Sequence, residues 1–156
     1  THYIFDAAGV ITDQIDWAYY SRDYAWDPVT SRVYFFRDGT SPNDLHYERI
    51  DQSTGMITAA GETDYHGGYN FQPPLRVSAD GQQILVGSGD FYEPNRLKWT
   101  GSLGKTIVQA AWRDNLLIDL DTTGLLEIRN AATRASIASF AYPGETVRMV
   151  YGQTEG

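Results

Sequence analysis

Short apolar runs separated by polar turns recur along the whole chain. Ile84-Leu-Val is a brief apolar run, and Leu116-Leu-Ile-Asp-Leu suits a strand with one or both faces buried. We find no long stretch with apolar residues at i, i+3, i+4 and i+7 between helix caps. The pattern therefore predicts an all-β protein.

Two kinds of turn alternate between these runs. In the first kind, small polar residues lead into an apolar strand, as at Asp27-Pro-Val-Thr-Ser, Ser78-Ala-Asp-Gly and, in degenerate form, Trp112-Arg-Asp-Asn. In the second kind, Asp51-Gln-Ser-Thr-Gly and its copy Asn130-Ala-Ala-Thr-Arg join two strands. Asp or Asn caps its own backbone in such turns, and Gly supplies a positive φ. The alternation predicts units of four antiparallel strands.

The spacing of the second turn gives the length of the repeat. A shorter version starts at Asp6, 45 residues before Asp51, and 79 residues separate Asp51 from Asn130. The second interval equals two units of about 40 residues, which is typical of propeller blades. We predict full blades at residues 24–60, 75–107 and 110–140, the outer half of a blade at 3–15, and an inner strand at 146–151.

The turn motif and the turn-then-strand pieces at Asp27 and Asp80 resemble the blades of bacterial propellers of the lactonase-like, NHL-like and quinoprotein-like kinds. The resemblance covers nearly the whole chain. It implies a β-propeller of about three to four four-stranded antiparallel blades, but no particular activity. The signature of a WD-repeat blade, Gly-His early and Trp-Asp late, is absent.

The number of blades bears on the domain organisation. Propellers usually have four to eight blades, so residues 1–156 are expected to form a single propeller domain or a propeller fragment. The chain could be cut from a larger propeller, close as a small four-bladed ring, or pair with another copy. We favour the first of these.

The composition argues against several classes of binding partner. Twelve basic and twenty acidic side chains give a net charge of −8, which disfavours nucleic acid and anionic membrane surfaces. The chain has no cysteine, which excludes disulfides, zinc–thiolate sites and thiol catalysis. No apolar run approaches the roughly 18 residues of a membrane span, so we expect no membrane insertion.

The chain begins with Thr, which suggests a processed chain or a piece of a longer one, and an exported or cell-surface bacterial location is favoured over the cytoplasm.

The connections between the predicted strands fall on two opposite faces. Turns within strand pairs are short, whereas the other face carries long loops rich in aromatic and acidic residues, at 16–24, 38–44, 61–74 and 87–95. Long loops on a rigid scaffold gather binding residues. Aromatic rings beside carboxylates suit a protein, peptide or carbohydrate ligand. The predicted ligand-binding residues are Tyr65, Tyr69, Tyr92, Glu62, Asp64 and His66, with the three tyrosines exposed. Trp17, Trp26 and Phe71 are expected to be structural.

The histidines raise the question of a metal ion. His66 lies near Glu62 and Asp64, and His46 follows Asp44, so nitrogen and oxygen ligands could converge if these loops meet at the central channel. No spacing matches a known ligand pattern. We therefore expect no bound cofactor.

Catalytic motifs are also missing from the sequence. It contains no Gly-x-Ser-x-Gly, no Gly-rich phosphate loop and no His-Glu-x-x-His. The leading hypothesis is a non-catalytic binding module that uses the long-loop face. One alternative is a lactonase-like hydrolase with a calcium-like ion held by residues such as Glu62, Asp64 and Asn70. The other is a purely structural fragment that self-associates to complete a ring.

Overall fold

The computed structural model describes residues 1–16, 20–38, 43–64 and 70–144. The strands are β1 (His2–Phe5), β2 (Ile11–Ile15), β3 (Tyr20–Asp27), β4 (Arg32–Asp38), β5 (Leu45–Asp51), β6 (Met56–Glu62), β7 (Leu75–Val77), β8 (Ile84–Val86), β9 (Asp90–Glu93), β10 (Lys98–Ser102), β11 (Ile107–Arg113), β12 (Leu116–Asp121), β13 (Leu125–Asn130) and β14 (Ser136–Ala141). The predicted all-β class is confirmed. A helix capable of crossing a membrane is not found among the described residues.

Strands that follow one another in the chain are neighbours in space. β3–β6, β7–β10 and β11–β14 each form a four-stranded antiparallel sheet in chain order, and β1 pairs with β2. β3 contacts β7, so the first strands of the first two full sheets lie side by side. β2 contacts β6, so the last strand of the half-blade lies beside the last strand of the first full sheet. This is the up-and-down arrangement of propeller blades, with β3, β7 and β11 innermost. The predicted blades and half-blade are confirmed, whereas the inner strand predicted at 146–151 lies outside the described residues.

The turns form by the chemistry that the sequence predicts. Asp51 Oδ1 accepts a hydrogen bond from the backbone N–H two residues later at 2.8 Å, and Gly55 follows with a φ of 69°. Asn130 Oδ1 accepts the equivalent bond at 3.0 Å. Arg134 stands where the first turn has Gly and adopts a φ of 63°, in the left-handed region that favours glycine. Local turn chemistry therefore fixes the ends of these strands.

The core consists of two apolar layers between the three full sheets. β8 supplies both layers, because successive side chains of a strand point to opposite faces. Ile84 and Val86 enter the layer against β3–β6, and Leu85 enters the layer against β11–β14. The other buried members of the first layer are Tyr34, Phe36, Leu45, Phe71, Leu75, Tyr92 and Leu97, and those of the second are Phe91, Ile107, Ala110 and Leu117.

The predicted roles of two aromatic residues are wrong. Tyr92 is fully buried rather than exposed, because β9 runs through the segment 87–95 that was expected to be a loop. Trp26 is 45% exposed rather than part of the core, because it projects from β3 into a groove along the inner strands. Phe71 is structural as predicted, with its ring 5.3 Å from that of Tyr92. Trp17 lies outside the described residues.

Candidate functional site

The structure describes only part of the predicted ligand set. Glu62, at the end of β6, and Asp64 are exposed at the predicted long-loop end of the sheets. The predicted ligand residues outside the described part of the chain are Tyr65, His66 and Tyr69. At this end, the connections after β8, β10 and β12 are only three or four residues long. The long-loop face is therefore built by the first half of the chain alone.

A groove of about 310 Å³ runs along the inner strands of the three full sheets. β3, β7 and β11 line it with residues that include Trp26, Arg76, Val77 and Trp112. Trp26 is the last residue but one of β3, and Trp112 is the last residue but one of β11. Both therefore lie beside the short turns. The groove therefore lies towards the end of the sheets opposite to the predicted binding face.

Arg76 is held in a fixed position on the middle strand of this groove. Its Nη2 donates to Oε1 of Gln109 on β11 at 2.7 Å, and its Nη1 donates to the carbonyl of Leu75 at 2.8 Å. The guanidinium shares the lining of the groove with Trp26 and Trp112, and arginine and tryptophan are both enriched in the energetically dominant parts of protein interfaces. The groove can therefore offer stacking and charged hydrogen bonds to one ligand.

The sequence carries a signal for this groove at the ends of the inner strands. When Arg113, rather than Trp112, is aligned with Asp27 and Ser78, Trp26, Val77 and Trp112 each stand directly before the first kind of turn in successive blades. Equivalent positions on the inner strands of adjacent blades line the same channel. Two tryptophans at one repeat position therefore predict a shared aromatic surface, whereas each tryptophan taken alone suggests a core residue.

A second polar region lies where the half-blade meets the first full sheet. Phe35 points to the face of β3–β6 opposite the apolar core, and it is fully buried. The imidazole of His46 stacks on its ring at 5.6 Å, and that of His2 from β1 meets it edge-on at 4.9 Å. This interface therefore carries two histidines around one phenylalanine.

His2 joins three strands through its two ring nitrogens. Nδ1 lies 2.7 Å from Oε1 of Glu48 on β5, and Nε2 lies 2.7 Å from Oγ of Ser21 on β3. The order Ser21–His2–Glu48 is that of the proton relay in serine hydrolases. However, the Tyr24 hydroxyl lies 2.5 Å from Ser21 Oγ, and the network connects two packed sheets. We interpret it as a structural tie between half-blade and blade.

A separate cluster brings together Asp44, His46 and Glu62. His46 and Glu62 are directly opposite each other on β5 and β6, with Nε2 3.3 Å from Oε2. Asp44 immediately precedes β5, is fully buried, and pairs with Arg37 Nη2 at 2.9 Å. One potential metal-ligand atom from each of the three residues lies within 4.8 Å of the other two. The sequence suggested that nitrogen and oxygen ligands could converge at the central channel, whereas this cluster lies on the face that carries Phe35, and the sequence did not indicate the role of Arg37.

The last sheet carries a network of charged residues around Lys105. Its Nζ lies 2.6 Å from Asp119, 2.7 Å from Glu127 and 3.4 Å from Asp121. Burial lowers the pKa of Lys105, but hydrogen bonds to Asp119 and Glu127 outweigh this effect and raise the pKa above its ordinary value. Arg129 also pairs with Asp119, at 2.8 Å. The network ties the link before β11 to β12 and β13, so we interpret it as structural.

Comparison with solved structures identifies the class of fold. The chain is similar to U3-55K (TM-score 0.57, 9% identity, 81% of this chain and 40% of that one) and to the WD40 repeats of RRP9 (0.53, 10%, 80% and 39%). It is also similar to the computationally designed protein Ika8 (0.55, 11%, 85% and 40%). No protein-family model and no curated protein matches the sequence.

The fold is therefore that of a partial β-propeller, and one of these solved neighbours is described as WD40 repeats. At identities of 9 to 11% these matches show the fold alone. The chain spans about 40% of the length of these neighbours. The lactonase-like, NHL-like or quinoprotein-like resemblance stays a prediction.

Proposed function

We propose that this chain is a non-catalytic protein-interaction module that binds an extended segment of a partner protein in the inner-strand groove. The observation that carries the proposal is the lining of that groove, in which Trp26, Arg76 and Trp112 come from three neighbouring sheets. Tryptophan and arginine are the residues most enriched among those that dominate binding energy at protein interfaces. The likeness to a solved structure described as WD40 repeats supports a protein-interaction role.

The partner segment is expected to combine an apolar or aromatic side chain with a carboxylate. Indole rings stack on flat or aliphatic groups, and the planar guanidinium of Arg76 suits a carboxylate. Arg76 keeps its orientation through Gln109, which reduces the conformational entropy lost on binding. An extended peptide can contact all three strands at once. A carbohydrate remains the alternative ligand class, because its apolar faces stack on indole rings as well.

Peptide selection against the purified chain tests this proposal. Peptides that bind should lose affinity at least tenfold with Trp26→Ala or Trp112→Ala. Trp99→Ala is the matched control, because Trp99 is 48% exposed against 45% for Trp26 but lies on the outer strand β10. If peptides keep their affinity for both groove variants but lose it with Tyr65→Ala and Tyr69→Ala, that result would contradict the groove as the binding site and favour the long-loop face.

Self-association is a second candidate function, favoured by exposed apolar side chains on both end sheets. The half-blade exposes Tyr3, Phe5 and Ile11, and β14 exposes Ile137 and Phe140, each by 48 to 60%. Apolar patches of this kind mark association surfaces, and a second copy that joins these ends would extend the ring. Light scattering tests this candidate: a dimer supports it, and a monomer that unfolds cooperatively contradicts it.

A lactonase-like hydrolase and a bacterial exported or surface location remain proposals with less support. The hydrolase would use Glu62, Asp64 and Asn70 around a calcium-like ion. Glu62 is instead directed towards the imidazole of His46, which is a poor neighbour for calcium. Turnover of a lactone that depends on added calcium would revive this alternative.

A further inference from the structure

We propose that Asp44, His46 and Glu62 form a binding site for a divalent transition-metal ion such as Zn²⁺. The site lies on the face of β3–β6 that meets the half-blade, away from the inner-strand groove. It is therefore independent of the proposed peptide site, and either proposal can fail without the other.

The geometry suits a single ion. Two donors bound to one zinc ion at about 2.1 Å in tetrahedral coordination lie about 3.4 Å apart. His46 Nε2 and Glu62 Oε2 are 3.3 Å apart on adjacent strands, and the donor atoms of all three residues lie within 4.8 Å of one another.

The donor set selects the class of metal. Imidazole suits zinc, copper, iron and nickel, whereas calcium and magnesium take oxygen ligands. One imidazole with two carboxylates therefore favours a transition metal over the calcium-like ion considered from the sequence. Three protein ligands leave one tetrahedral position for water or a ligand atom. Glu62 is 38% exposed, so that position is open to solvent.

Charged groups and hydrogen bonds around the cluster orient its carboxylates. Asp44 is fully buried, and Glu48 on the same face of the sheet is 1% exposed and is paired with His2 at 2.7 Å. Buried carboxylates are costly unless positive charge compensates them. Arg37 supplies this positive charge to Asp44 at 2.9 Å, and Thr63 Oγ1 donates to Asp44 at 3.3 Å. Both contacts orient the carboxylate, as outer-shell partners of a metal ligand do.

The experiment is a titration of the purified, metal-stripped chain with Co²⁺, followed by competition with Zn²⁺. We expect visible d–d absorption that saturates at one ion per chain and that Zn²⁺ abolishes, together with a higher melting temperature in Zn²⁺ that EDTA reverses. His46→Gln and Glu62→Gln should each weaken the affinity for Co²⁺ at least tenfold. If His46→Gln does not fold, Glu62→Gln alone tests the site, because Glu62 lies partly at the surface and its substitution disturbs the core less.

His2→Gln is the matched control. His2 also pairs with a glutamate, at 2.7 Å, but the group of three metal-ligand side chains found among the described residues does not include it. The affinity for Co²⁺ should therefore change less than threefold. The proposal is overturned if Co²⁺ gives no absorption, if His46→Gln retains the wild-type affinity, if His2→Gln loses as much as His46→Gln, or if Ca²⁺ stabilises the chain more than Zn²⁺ does. The direct contact between His46 and Glu62 would then account for the cluster.

Discussion

The imidazole of His2 on β1 lies 2.7 Å from the carboxylate of Glu48 on β5, and these residues are 46 positions apart in the chain. Glu48 is 1% exposed, so this bond joins the half-blade to the first full sheet inside the protein. A hydrogen bond to a buried charged group contributes more to stability than one at the surface. The half-blade is therefore held by polar as well as apolar contacts.

The first prediction concerns this tie. His2→Ala should lower the free energy of unfolding by about 2 kcal/mol, because it removes a hydrogen bond from a buried carboxylate. Tyr3→Ala is the control on the next residue, since Tyr3 is 48% exposed, and it should cost about 0.5 kcal/mol or less. Urea denaturation of the two variants gives the comparison. Equal losses would show that the tie contributes nothing.

A second prediction concerns the close approach of two connections. A Cβ added to Gly87 would lie 1.9 Å from the carbonyl oxygen of Pro73, and the Gly87 N–H donates to the Gln72 carbonyl at 2.7 Å. Gly87→Ala should therefore destabilise the protein by about 3 kcal/mol, because the backbone must move.

Gly104→Ala provides the comparison for Gly87. No atom lies within 4 Å of the position that its Cβ would take, but its φ is 69°. It should cost about 1 kcal/mol, from backbone strain alone. Thermal unfolding of both variants measures the difference, and a Gly87→Ala protein as stable as Gly104→Ala would contradict the packing of these segments.

The third prediction is a pH dependence that arises from Asp121. Burial raises the pKa of this carboxyl, but bonds from the Thr123 hydroxyl and from the N–H groups of Leu125 and Thr123, with the charge of Lys105, lower it from 3.8 to about 2. A folded-state pKa below the unfolded value gives stability that is fully present above the unfolded pKa. That stability is lost as the pH falls through the folded value.

Thermal unfolding between pH 5 and about pH 2 measures this contribution. The melting temperature of the wild type should fall over this range, and that of Asp121→Asn should start lower and fall less. If the two curves stay parallel down to about pH 2, Asp121 does not carry the effect.

The blades could be predicted from the sequence because their turns are local. Asp51 and Asn130 bond to backbone N–H groups two residues later, so the motif alone predicts where strands end. Arg134 shows the limit of such reasoning. Its positive φ follows from the repeat, but the contact of its guanidinium with the Phe91 ring, at 3.9 Å, joins two sheets.

The candidate sites could be predicted only in part, because they depend on how the sheets pack. β9 is flanked by Gly and Pro and is only four residues long, so its sequence resembles a loop and Tyr92 was misassigned. Glu62 and His46 become neighbours through the register of β5 and β6, and the sequence does not state that register. Trp26 and Trp112 line the same groove because β3, β7 and β11 adjoin. No local pattern within one blade contains that information.

The most direct test of the proposed function is an NMR titration of the tryptophan indole N–H signals with a selected peptide. The chain has four tryptophans, and single Trp→Phe variants assign their signals. We expect the signals of Trp26 and Trp112 to shift together and saturate at one peptide per chain, while that of Trp99 on the outer strand stays in place. A peptide that binds without moving the Trp26 and Trp112 signals would contradict the assignment of the inner-strand groove as the binding site.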